Sequence, residues 1–77
     1  MILRNNLKKY RDLAYLSQPQ LAKLVNVSKQ TIYDIERGAS RKIGYNEDML
    51  IRIFIVLKVR VDKLEKLGQV FPGKKAF

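Results

Sequence analysis

Hydrophobic residues recur along this chain at intervals of three and four rather than in alternation, and that period predicts helices joined by short connections. Leu7, Tyr10, Leu13 and Ala14 make the first stripe, which sets a helix from about Asn5 or Asn6 to Ala14 with Lys8, Lys9 and Asp12 facing water. The strongest local signal is the segment Leu16-Ser17-Gln18-Pro19-Gln20-Leu21. Ser17 is a natural N-cap, Gln20 completes a capping box, Leu16 and Leu21 are spaced to staple the entry, and Pro19 falls in the first turn, where its missing N–H costs nothing. The helix it opens is expected to bury Leu21, Ala22, Leu24 and Val25 and to stop near Val25, because Asn26 tolerates the left-handed conformation that ends helices.

Ser28 then caps a third helix through Arg37, with Ile32 and Ile35 facing inward and Gly38 just past its end. Only Asn26 and Val27 separate the two helices, so they must cross steeply, and the small Ala22 lets their axes approach: the pattern is a helix-turn-helix. After the loop ASRKIGYN, Asn46 caps a fourth helix with Glu47 and Asp48 in its first turn, Tyr45 and Leu50 placed as a staple, and Leu50, Ile53, Phe54 and Leu57 as its stripe. Val61, Leu64 and Leu67 mark a short fifth helix ending at Gly68. In the tail, Pro72-Gly73 is turn-like, and Gln69 to Phe71 can pair as a short terminal β-strand with Met1 to Leu3.

Length and charge narrow what such an assembly does. At 77 residues the chain is expected to form one domain over 1–77, with its core in 5–67 and a tail at 68–77. It has no cysteine and no histidine, which removes disulfides, thiolate and imidazole metal sites and the commonest catalytic nucleophile and base. With no glycine-rich phosphate loop either, an enzyme is not expected, and neither a cofactor nor a metal is called for. Arg52 and Lys58 interrupt the longest apolar stretch, which falls well short of the ~20 residues of a membrane span. No secretory segment is visible at the start, so a soluble, cytoplasmic protein is expected. Sixteen Lys and Arg against seven acids give a net charge of +9, which attracts polyanions over long range, nucleic acid first among them. A membrane surface fits less well, because tryptophan is absent. RNA readers stack bases on an aromatic array, whereas Tyr10, Tyr15, Tyr33 and Tyr45 are scattered.

The stretch LSQPQLAKLVNVSKQTIYDIERG resembles the lambda repressor/Cro-like (XRE) helix-turn-helix domains. Leu16, Ser17, Gln18, Leu21, Ala22, Val27, Ser28, Ile32, Ile35, Glu36 and Gly38 fit that pattern in register, and the later VLKVRVDKL is similar to the family's closing turn and fifth helix. The resemblance spans roughly Leu7 to Leu67 and implies an all-α, compact five-helix domain. It also implies an ion pair between Arg11 and Glu36 that ties the first helix to the end of the third. Tyr15, Asn26 and Lys58 stand where the family commonly has glycine, so three tight turns are expected to be built without the residue best suited to them.

Docking the third helix in a major groove, as the resemblance implies, makes Lys29, Gln30, Tyr33 and Asp34 the candidate base readers. Lysine can donate to guanine O6 and N7, glutamine can pair with adenine N6 and N7, tyrosine can bond a phosphate or pack on a thymine methyl, and aspartate can accept from cytosine N4. Asp34 suits the task least, since phosphates repel a carboxylate unless a cation neutralises it. Ser17, Gln18, Ser28, Arg37, Arg41 and Lys42 are candidate contacts to the DNA backbone, while Lys74 and Lys75 have a weaker claim. The function expected is a sequence-specific transcriptional regulator, a repressor acting as a homodimer on a two-fold operator of double-stranded DNA. Val59, Val61, Val70 and Phe71 are candidates for the dimer surface. The alternative is an antitoxin or restriction-controller-like subunit that binds both DNA and a protein partner.

Overall fold

Two serines and three left-handed residues punctuate the first half of the fold, and each settles backbone groups that a helix end leaves unpaired. The structure, a computed structural model, describes residues 5–38 and 47–72. Among these residues the elements are α1 (Leu7–Leu13), α2 (Gln18–Val25), α3 (Lys29–Glu36), α4 (Glu47–Arg60) and α5 (Leu67–Val70), with no strand. Asn5 Oδ1 accepts from Leu7 N–H at 3.0 Å at the start of α1, while its amide donates to Ile35 O at 2.7 Å, anchoring α1 to the end of α3. At the other end Tyr15 adopts φ 58°; its N–H donates to Asp12 O and that of Leu16 to Arg11 O, closing a Schellman turn.

The capping box predicted for α2 is present: Gln20 N–H donates to Ser17 Oγ at 3.1 Å and Ser17 N–H to Gln20 Oε1 at 2.8 Å. Leu16 and Leu21 are both buried beside it. Asn26, at φ 60°, ends α2 with the Val27 N–H returned to Ala22 O. Ser28 Oγ accepts from Thr31 N–H to open α3, and Gly38, at φ 80°, follows its end. The resulting α2–α3 pair packs closely, with Ala22, Val25, Ile32 and Ile35 buried. Leu7, Leu50, Ile53, Leu57 and Leu64 complete one core with them.

The structure departs from the sequence reading at several positions. Leu13 and Leu24 are 46% and 49% exposed rather than buried. On α1 the inward place falls to Arg11, so the stripe runs Leu7, Tyr10, Arg11, Ala14; on α2, Leu21, Ala22 and Val25 already fill the face. Phe54 is half-buried against the core. Lys58 lies inside α4 and needs no special turn.

The fifth helix begins only at Leu67 and runs past Gly68 to Val70. Val61 and Leu64 are buried on the irregular connection before it, since a three-residue spacing suits a tight turn as well as a helix. The strand expected at Gln69 to Phe71 is overturned: Gln69 and Val70 are helical, and Asn6 pairs with this segment instead, its N–H to Val70 O at 2.7 Å and its amide to Gln69 O at 2.8 Å. Val61, Val70 and Phe71 are buried in the core and are not a dimer surface, whereas Val59 is 80% exposed. Met1 to Leu3, the loop with Arg41, Lys42 and Tyr45, the Asn46 cap, and Gly73, Lys74 and Lys75 lie outside the described residues.

Candidate nucleic-acid interface

Exposed polar residues on α3 follow from its two-sided pattern: Ile32 and Ile35 are fully buried, which turns the intervening positions outward. Lys29 and Gln30 are exposed in the first turn, and Tyr33 is 46% exposed one turn later. Asp34 and Arg37 continue the same side. Gln30 Nε2 donates to Asp34 Oδ1 at 3.0 Å, Arg37 Nε donates to the same oxygen at 3.4 Å, and the Arg37 guanidinium lies 5.5 Å from the Tyr33 ring centre. The structure therefore brings Gln30, Tyr33, Asp34 and Arg37 together as one linked group, with Lys29 beside it in sequence.

The helix starts flank this face. Ser17 and Ser28 are exposed, and the Ser28 and Thr31 hydroxyls share a hydrogen bond of 2.9 Å. Gln18 is half-buried, with its side chain drawn back onto the protein, where Nε2 donates to Glu36 Oε1 at 3.0 Å.

Behind the face, Arg11 and Glu36 meet in a nearly dry contact. Their side chains keep 10% and 7% of their exposure, Arg11 Nε donates to Glu36 Oε2 at 2.5 Å, and Nη2 donates to Oε1 at 3.3 Å. Arg11 Nη1 also donates to Leu16 O at 2.7 Å, so one guanidinium joins α1, the turn before α2 and the end of α3. A buried guanidinium and carboxylate must be hydrogen-bonded to stay charged at tolerable cost, and this arrangement supplies the bonds from three elements.

Sequence reading missed Asn5, whose amide donates to Ile35 O at the far end of α3, and Gln69, whose amide donates to Lys63 O on the connection just before it. Their only signal was being polar residues at the edges of apolar stripes. Among the described residues no three of His, Cys, Asp and Glu are grouped to hold a metal, and no helix is long and apolar enough to cross a membrane.

A helix-turn-helix family model matches residues 7–64, spanning α1 through the turn after α4. The chain belongs to the XRE family of helix-turn-helix proteins. It is similar to two proteins of Methanocaldococcus jannaschii, each described as an uncharacterized HTH-type transcriptional regulator. The first is 38% identical over 69 residues, covering 90% of this chain and 27% of the relative. The second is 53% identical over 36 residues, covering 47% of this chain and 54% of the relative. The chain thus matches about a quarter of one relative's length and about half of the other's.

Proposed function

We propose that this XRE-family chain is a DNA-binding transcription regulator that lays α3 in the major groove and acts in the cytoplasm as a dimeric repressor on a two-fold operator. The observation that carries the reading is the exposed set Lys29, Gln30 and Tyr33 on the second helix of a tightly packed pair, in a chain of net charge +9. Similarity to two HTH-type transcriptional regulators supports the same reading. In this reading the first turns of α2 and α3, with Ser17, Gln18 and Ser28, meet phosphates where the helix dipoles favour negative charge. Arg37, Arg41 and Lys42 add counter-charge along the backbone, which fixes register rather than sequence.

The test is fluorescence anisotropy of the chain with the duplex upstream of its gene and with a scrambled duplex, each at two salt concentrations. Specific binding exceeds the scrambled control, Lys29→Ala and Gln30→Ala collapse the ratio, and Arg41→Ala weakens both duplexes alike while lowering the salt slope by about one. Equal binding to both duplexes, abolished together by salt, would refute a sequence-reading role.

A further inference from the structure

Lys29, Gln30 and Tyr33 account for the groove-facing chemistry of α3 but leave Asp34 unexplained, an acid beside a surface proposed to meet phosphates. Its carboxylate is well covered, with 19% side-chain exposure, and its Oδ1 receives both Gln30 Nε2 at 3.0 Å and Arg37 Nε at 3.4 Å. An ionised carboxylate only accepts hydrogen bonds. The Gln30 amide must therefore turn its NH2 group toward Asp34, because the flipped amide would set Oε1 against a carboxylate oxygen. One N–H of Gln30 is committed to this contact. The acceptor Oε1 and the second N–H remain for another partner.

That remaining pair matches one base edge better than the others. Adenine offers the N6 amino group as donor to Oε1 and N7 as acceptor for the second N–H. Guanine presents acceptors at both N7 and O6, so it asks for two donors and meets the fixed Oε1 with its own oxygen. We propose that Asp34 is a positioning residue that locks the Gln30 amide and so makes α3 select adenine over guanine at the base Gln30 faces. This rests on the reading that α3 enters the major groove. Arg37 completes the device: it offsets the Asp34 charge where phosphates would otherwise repel it, and its guanidinium lies 5.5 Å from the Tyr33 ring centre, joining the clamp to a second candidate reader.

The deciding experiment selects a pool of short randomised duplexes on the whole chain, on Gln30→Ala and on Asp34→Asn, and compares base frequencies column by column. Asparagine keeps the shape of aspartate but offers N–H as well as oxygen, so either orientation of the Gln30 amide can pair with it. With the native chain, one column per half-site is adenine on the strand Gln30 reads, and Gln30→Ala erases that column. Asp34→Asn lowers its adenine-to-guanine ratio by about tenfold, within the discrimination a bidentate contact supplies, and leaves the columns away from Gln30 and Tyr33 and the melting temperature unchanged. If Gln30→Ala erases the column but Asp34→Asn preserves it, the positioning role is overturned and the groove reading stands. If Asp34→Asn lowers the melting temperature and flattens every column, Asp34 supports the fold rather than one base. If the native chain enriches no sequence, the inference falls together with the reading beneath it.

Discussion

Arg11 occupies the place on α1 that an apolar residue would ordinarily take, and its three nitrogens reach Glu36 and Leu16 O. Removing it leaves the Glu36 carboxylate buried, with the Gln18 amide as its remaining side-chain donor among the described residues, and leaves Leu16 O without the guanidinium. Breaking a buried pair from one side costs about 3–5 kcal/mol, because the surviving charge stays desolvated. Arg11→Ala is expected to lose that much in urea denaturation, whereas Arg11→Met with Glu36→Leu recovers most of it, since a packed apolar pair needs no compensation. A loss below about 1 kcal/mol for the single change would mean that the pair behaves as an exposed one. Tyr15 poses the opposite case. It holds φ 58° and is 92% exposed, so it carries left-handed strain with almost no burial to offset it. Tyr15→Gly is expected to stabilise by about 1 kcal/mol and to raise the melting temperature by about 4–8 °C, read by thermal denaturation. Asn26→Gly, at nearly the same φ, should change little, because asparagine already tolerates that region.

At the scale of elements, α5 has only four residues and cannot hold itself together by its own hydrogen bonds. Gln69 does much of the holding. Its Oε1 accepts from Glu65 N–H at 2.6 Å and Lys66 N–H at 2.7 Å, and its Nε2 donates to Lys63 O at 3.1 Å. Gln69→Ala should therefore speed amide exchange at Glu65 and Lys66 by native-state hydrogen exchange and lower global stability by about 1–3 kcal/mol. Unchanged exchange there would show that Val61 and Leu64 hold the connection without it. The same element shows what the sequence could and could not tell. Ser17 with Gln20, and Ser28, cap through contacts three residues apart, so their helices are legible from short-range pattern alone. The connection from Val61 to Lys66 is not, because a glutamine beyond it satisfies its backbone groups and no periodicity records that. Leu13 is not placed correctly by periodicity, because a stripe read from apolar residues alone passes over Arg11; the partner that lets Arg11 go inward, Glu36, lies 25 positions on and enters only through the family resemblance. On α3, the outward face is legible from the burial of Ile32 and Ile35. The bonds from Gln30 and Arg37 to Asp34 are not, since spacings of three and four permit such contacts without choosing the rotamers that make them.

For the whole molecule, on the proposed reading that α3 enters the major groove, the reach of a single α3 sets the scale of recognition. Its eight residues present a short run of outward side chains, enough for a few base pairs and too few to single out one operator. Two copies related by a two-fold axis double the contacts, and the DNA then sees two α3 helices about 34–36 Å apart, one helical turn. The net charge of +9 on each chain opposes such pairing in free solution at low salt, while the DNA's phosphates neutralise it on the operator. Association is therefore expected to be tighter on the operator than off it, with two chains bound per duplex in analytical ultracentrifugation. Spacing then separates a true dimer from two independent monomers. Inserting about five base pairs between the half-sites turns one of them to the opposite side of the duplex, and a dimer should lose most of its affinity. Independent monomers would bind the lengthened duplex as well as the original, because each reads its own half-site whatever face it presents.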